Sequence, residues 1–216
     1  MRLSKMNSSD LARAICIIDV GLGNIASIER MLQKVGSRSI LAKNPDDLRG
    51  VEKVILPGVG HFSEGMKQLQ RTGFAEVLVE LIRERNVFVL GVCLGMQMLC
   101  RSSEEGAVPG LGLIDAAVRK FQFSEDNKLK VPHMGWNVVS SDKANPLLPP
   151  SPEEQRFYFV HSYRVVPDYS AIMIGTANYG GEFCAAFQQD NVFGVQFHPE
   201  KSHRFGMELM RRFVEL

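Results

Sequence analysis

Two short stretches carry residue types that can do chemistry together. In Gly91-Val92-Cys93-Leu94-Gly95 a thiol stands two residues from a glycine on either side. Upstream, Val87 to Val92 is an apolar run rich in β-branched residues, of the kind that fills a strand buried on both faces, and the residues downstream are apolar helix formers. Cys93 is therefore predicted at a strand-to-helix turn, where the two glycines remove side chains that would crowd it. Such a turn lifts the sulfur above the sheet edge and points free N–H groups towards it, which favours a thiolate and can hold an oxyanion. A small buried hydrophobe fits the same residues, and that is what a free cysteine usually is. The second stretch is Gly194-Val195-Gln196-Phe197-His198-Pro199-Glu200. Residues two apart in an extended chain share a face, so the Glu200 carboxylate can stand beside the His198 imidazole, fix its tautomer and stabilise its cation. An isolated histidine is usually structural, but an oriented one is the half of a triad that a reactive cysteine completes.

The elements that must position these groups follow from the apolar pattern. Ala14 to Val20 reads as a buried strand, Gly21-Leu22-Gly23-Asn24 as a tight turn, and Ile25 to Val35 as a helix. Ala26 stands where a dinucleotide fingerprint needs its third glycine, so this turn is predicted to hold no phosphate. Strands follow at 39–42 and 51–56, the latter ending in Pro57-Gly58-Val59-Gly60, then helices at 63–70 and 74–85 and the strand into Cys93. Alternation of this kind predicts a parallel sheet whose site lies at the carboxyl ends of the strands, which puts Gly58 to Gly60 and Cys93 on one edge. Beyond Ser102 the chain breaks into shorter β-rich pieces, at 118–123, 131–139, 156–166, 171–177, 182–188 and 192–197, before a closing amphipathic helix at 204–214. The fold expected is a single α/β domain over residues 14–216, preceded by an extension at 1–13. Its mostly parallel central sheet is covered by helices on both faces, with an added mixed or antiparallel β portion in the second half. Four of the ten prolines fall in Asn145 to Pro152, predicted to be a surface loop. Met96, Val195 and Phe197 are assigned to the core.

Twenty-five basic against twenty-four acidic side chains give no global pull towards nucleic acid or an anionic membrane. Cys16, Cys93, Cys100 and Cys184 form no C-x-x-C pair, which favours a reduced, cytoplasmic compartment; neither a secretory signal nor a membrane span is legible.

Taken together, P-G-V-G (57–60), G-V-C-L-G-M-Q (91–97) and F-H-P-E (197–200) resemble the motifs of class I (triad) glutamine amidotransferases. V-P-H-M-G-W-N (131–137), F-V-H-S-Y (159–163) and D-V-G-L-G-N (19–24) resemble the glutaminase subunits of imidazole glycerol phosphate synthases. That resemblance implies a Cys93, His198, Glu200 triad that hydrolyses glutamine to glutamate and ammonia, needing no cofactor or metal. It implies an oxyanion site from the Leu94 and Val59 N–H groups with Gly58 and Gly60 beside them, and a substrate contact from Gln97. The partner implied is a cyclase or synthase subunit in a heterodimer. It receives the ammonia to form imidazole glycerol phosphate in histidine biosynthesis, and is faced by Asn24, His133, Met134, Gly135, Trp136, Asn137, Tyr163 and Lys201. Two departures stand out. Val20 lies where a tyrosine is expected, and Glu200 to Met207 is at least as similar to paralogous glutaminases that serve surface-sugar amidination with a cyclase-like partner. A stand-alone cysteine hydrolase would have no reason to carry the P-H-M-G-W-N segment, and a non-catalytic partner protein would be expected to lack a triad member.

Overall fold

A computed structural model describes residues 14–124 and 129–216; the expected extension at 1–13 lies outside the described residues. The first half is the predicted alternation: β1 (Ile15–Ile18), α1 (Ile25–Lys34), β2 (Ser39–Ala42), β3 (Lys53–Gly58), α2 (Phe62–Thr72), α3 (Phe74–Arg85), β4 (Phe88–Cys93) and α4 (Leu94–Met98). The second half runs β5 (Cys100–Ser103), β6 (Ile114–Lys120), β7 (His133–Val139), β8 (Gln155–His161), β9 (Tyr163–Pro167), β10 (Met173–Asn178), β11 (Glu182–Gln189), β12 (Val192–Val195) and α5 (His203–Glu215).

In the large sheet the strand order is β2-β1-β3-β4-β12-β11-β9-β6-β5, with β10 also paired to β11; β7 and β8 form a separate antiparallel pair. The five strands from β2 to β12 are parallel, and β12–β11, β11–β9 and β9–β6 are antiparallel. Successive strand residues point to opposite faces, so β1 feeds two cores. Cys16 and Ile18 join the side chains of α2 and α3, while Ile15 and Ile17 join those of α1 and α5. In α5, Leu209, Met210 and Phe213 recur at helical spacing and are buried, an apolar contribution on the order of 5–9 kcal/mol before entropy is subtracted.

Besides the strand expected at 118–123, which is found at Ile114–Lys120, three segments differ from the sequence expectation. The helix after Cys93 stops at Met98, and Cys100–Ser103 becomes a strand. The carbonyls of Met98, Leu99 and Cys100 accept hydrogen bonds from the amides of 111–114, so tertiary partners replace the next helical turn. The expected strand at 156–166 is two strands in different sheets, β8 paired to β7 and β9 to β6, separated at Ser162, whose carbonyl accepts from Phe121 N. The proline-rich loop is anchored rather than superficial: Leu147 and Leu148 are fully buried, their amides held by Asn145 Oδ1 at 2.9 and 3.2 Å.

Candidate active site

Cys93 ends β4 with φ 54° and ψ −108°, a conformation that side chains other than glycine's rarely adopt and that costs of order 1–3 kcal/mol. What holds the residue there is close packing of the turn on β3. A Cβ on Gly95 would lie 1.8 Å from the Leu56 carbonyl oxygen, so no other residue lets α4 start this near the neighbouring strand. Beside it, Gly58 sits level with Cys93 in the parallel ladder, and its own added Cβ would be 2.9 Å from Gly95 N. The predicted elbow and glycine loop therefore share one sheet edge. Val59, 41% exposed, and Gly60, at φ +104°, form the rim above them.

His198 and Glu200 arrive from the end of β12, the strand next to β4. They meet through a tight 3₁₀ turn at Pro199–Lys201 instead of the extended segment expected, since a proline at the first turn position is preorganised for helical φ. His198 Nδ1 lies 2.8 Å from Glu200 Oε1, with both side chains 2% exposed. The turn is tied to β8: His198 N donates to Tyr158 O at 2.9 Å, and Ser202 Oγ donates to His198 O and accepts from Tyr158 N.

Burial alone would lower the His198 pKa. Hydrogen bonding and charge interaction with Cys93 and Glu200 outweigh it and push the value up to about 9. Among the described residues the buried Nε2 has no well-formed hydrogen-bond partner, although interaction with the Cys93 sulfur contributes to the raised value. Glu200 Oε2 is likewise buried with no hydrogen-bond partner among the described residues.

Cys93, His198, Leu94, Gln97, Val59 and Gly60 line one cleft of about 300 Å³. Its far wall is Val160, His161, Ser162 and Tyr163. Gln97 is buried, with Nε2 donating to Tyr163 O at 3.2 Å and to Gln196 Oε1 at 3.0 Å, so both its hydrogens are spent internally and only Oε1 is available to a substrate.

The residues expected to face a partner divide into two groups. Met134 and Trp136 project from β7, 61% and 48% exposed, with Trp136 stacked on His203 at 5.3 Å. Lys201 is exposed, its ammonium 5.6 Å from the Tyr158 ring, and Asn24 is exposed at the start of α1. Gly135 and Asn137 are half-buried, and Tyr163 belongs to the cleft wall. His133 is turned inward because its Cβ alternates with that of Met134. Its Nδ1 lies 3.0 Å from His161 Nε2, and His161 Nδ1 donates to Tyr163 O at 2.7 Å. Burial lowers the pKa of His133 to about 4 and that of His161 to about 3, so both are neutral at pH 7.

The profile of one family, described as glutamine amidotransferase class-I, matches residues 16–216, which contain every group just placed around the cleft. The chain belongs to the class-I glutamine amidotransferases. Within that family it is 50% identical over 202 residues to the imidazole glycerol phosphate synthase subunit HisH 2 of Pseudomonas aeruginosa, covering 94% of this chain and 99% of the relative. It is 43% identical to the HisH subunit of Leptospira borgpetersenii, over 94% and 100% of the two chains. Among solved structures, a glutamine amidotransferase has a similar fold with a TM-score of 0.74 at 17% identity, over 94% of this chain and 97% of that one. PurLQS from Thermotoga maritima gives 0.71 at 20% identity, over the same shares.

Several residues at this amidotransferase site are not legible as such from sequence, among them Glu105, Val160, His161 and Ser162, which line the cleft, and Gln196 behind it. His161 and Ser162 sit inside F-V-H-S-Y, a stretch legible as a motif but not as a wall of the cleft. Gln196 was visible as a polar residue in an apolar strand, which is the signal that could have marked it.

Proposed function

We propose that the chain hydrolyses L-glutamine with Cys93 as nucleophile and passes the ammonia to a synthase subunit that forms imidazole glycerol phosphate in histidine biosynthesis, a cytoplasmic role. The single observation that carries this reading is the convergence, in one cleft, of a strained cysteine and a buried His198–Glu200 pair. Cys93 attacks the carboxamide carbon as the thiolate of an ion pair, its proton carried on His198 Nε2, and the carbonyl oxygen takes up charge facing the Leu94 and Val59 N–H groups. His198 Nε2 gives its proton to the nitrogen as the C–N bond breaks, so ammonia leaves and a thioester remains. Water then attacks that carbon, its proton passing to His198, and the C–S bond breaks to give glutamate and the starting ion pair. Glu200 holds the His198 ring in place throughout and stabilises it whenever it is protonated. Gln97 Oε1 accepts from the substrate's ammonium group. Residues 1–13 are an extension preceding the amidotransferase domain, which spans 14–216.

The partner docks on the β7–β8 pair through Met134 and Trp136, the large apolar side chains that this pair leaves in solvent, with Lys201, Asn24 and half-buried Gly135 and Asn137 around them. A second reading changes only the ammonia acceptor, to a cyclase-like protein of surface-sugar amidination. The stack of His203 on Trp136 favours keeping it, because it puts the stretch 200–207, which resembles those paralogues at least as well as the histidine-pathway subunits, beside the proposed docking face.

Glutamate release is to be measured for the isolated chain and after addition of each candidate synthase subunit with its own ligand. Slow release alone, raised at least tenfold by the histidine-pathway subunit, is expected. Full activity without any partner would overturn the relay, and stimulation by the other subunit only would select the second reading.

A further inference from the structure

The catalytic scheme above leaves one buried polar side chain at the nucleophile without a role. Gln196 is 0% exposed, follows β12, and has apolar neighbours in Val195 and Phe197. The way its amide faces is decided by a backbone group that can only accept. Tyr163 O takes a hydrogen bond from Gln97, which makes the facing atom of Gln97 its Nε2. The second hydrogen of that nitrogen meets Gln196 Oε1 at 3.0 Å. The other end of the Gln196 amide, Nε2, is thereby turned to Cys93 Sγ at 3.8 Å. His161 Nδ1 occupies the remaining lone pair of Tyr163 O, so rotating Gln97 would place two oxygens against each other.

We propose that Gln196 is a catalytic residue whose Nε2–H donates to the Cys93 sulfur, holding it on line for attack and stabilising the thiolate, with Gln97 and the Tyr163 carbonyl setting the direction of that donor. The proposal rests on the reading of Cys93 as nucleophile. Three features support it. Among the described residues the sulfur is the acceptor for Gln196 Nε2, and an amide N–H buried without an acceptor costs about 1–3 kcal/mol, so the contact is not idle. Gln196 reaches the sulfur without lining the cleft, whereas His198 and Leu94 line it, which leaves the open side to the substrate. A donor to sulfur strengthens when the sulfur carries charge, so the bond acts on the ionised form. The same arrangement gives Gln97 two tasks, aiming Gln196 with its nitrogen and meeting substrate with its oxygen.

The test is alkylation of the intact folded chain by iodoacetamide over pH 5–10, with the modified residue located by mass spectrometry and folding checked by circular dichroism. Cys16, Cys100 and Cys184 are buried, with their pKa values pushed well up by desolvation, and do not compete at neutral pH. Gln196→Met, which keeps the shape and removes the donor, is expected to slow Cys93 alkylation at pH 7 about tenfold and to move the rate–pH profile to higher pH. Gln97→Met leaves the donor in place but unaimed, and is expected to move the profile the same way by less; it decides the matter if Gln196→Met does not fold. A folded variant with the wild-type alkylation profile and reduced glutaminase activity would make Gln196 merely structural and overturn the proposal. A wild-type chain that alkylates elsewhere, with Cys93 inert, would overturn the nucleophile reading itself.

Discussion

Gly58 stands directly opposite Cys93 in the parallel ladder of β3 and β4, and the space above Gly58 is filled by the first residues of α4. A methyl group there would meet Gly95 N and Leu94 Cβ at 2.9 Å each, and neither is the free end of a flexible chain. Gly58→Ala is therefore expected to push the elbow off the strand, lowering stability by about 1–3 kcal/mol and glutaminase activity by at least tenfold. Urea unfolding and glutamate release measured together check it, and an alanine variant with wild-type turnover would show that the contact can relax without moving Cys93.

Strain at Cys93 gives a prediction that separates fold from function. Cys93→Ala and Cys93→Gly both remove the sulfur and are expected to abolish glutamine hydrolysis, a loss of at least about 10³-fold. Alanine keeps the strained φ of 54° whereas glycine relieves it, so the glycine variant should be the more stable of the two by about 1 kcal/mol even after its larger unfolded-state entropy. Equal stabilities would mean that the turn, not the residue, absorbs the strain.

Glu200→Gln keeps the size of the side chain and removes the charge that stabilises the His198 imidazolium. Activity is expected to fall by about 10²–10⁴-fold, and the limb of the pH–rate profile that reports His198 should move to lower pH. A smaller rate constant with an unmoved profile would assign Glu200 a packing role alone.

Much of this arrangement was legible in the sequence because the parallel half obeys local rules. A β-branched run followed by glycine and a helical period gives β4 and the elbow, and the same pattern repeated for β1 and β3 places their loops at one sheet edge. His198 and Glu200 stand side by side as their spacing predicts, but a 3₁₀ turn and not extended chain brings them together. What escaped depends on contacts distant in sequence. Residues 155–167 have one continuous β pattern, and only their pairing, with β7 on one side of Ser162 and β6 on the other, splits them. Met98 to Cys100 carry an apolar signal equally good for helix and strand, decided by amides more than ten residues later. Motif continuity puts His133 with Met134 and Trp136, whereas strand alternation turns it the opposite way, into the core.

The exposed side chains of β7 should matter to association and not to chemistry. Trp136→Ala or Met134→Ala is expected to weaken binding of the synthase subunit by about 2 kcal/mol or more. Cys93 alkylation by iodoacetamide in the isolated chain should stay unchanged. Calorimetric titration of the partner tests this. Undiminished affinity in both variants would move the docking surface elsewhere.

The buried histidines make stability depend on pH in two opposed ways. His133 and His161 are held near 4 and 3 in the folded chain, below the ordinary value of 6.5, so the unfolded chain binds more protons once the pH falls under 6.5. Their contribution is therefore present above that pH and is lost on acidification, at about 1.4 kcal/mol per pH unit for each histidine until the folded values are approached. His198, raised to about 9, behaves oppositely: its contribution is full below 6.5 and disappears as the pH rises through 9. Stability should peak near pH 6.5. In His133→Gln, whose amide can still bond to His161, the acid limb of the urea midpoint between pH 6 and 4 should be shallower by the share of one histidine, while the alkaline limb is unaltered. Carboxylates titrating over the same range contribute equally to both proteins and cancel in the comparison. Parallel acid limbs would mean that His133 charges in the folded state, and that its hydrogen bond to His161 does not keep both rings neutral.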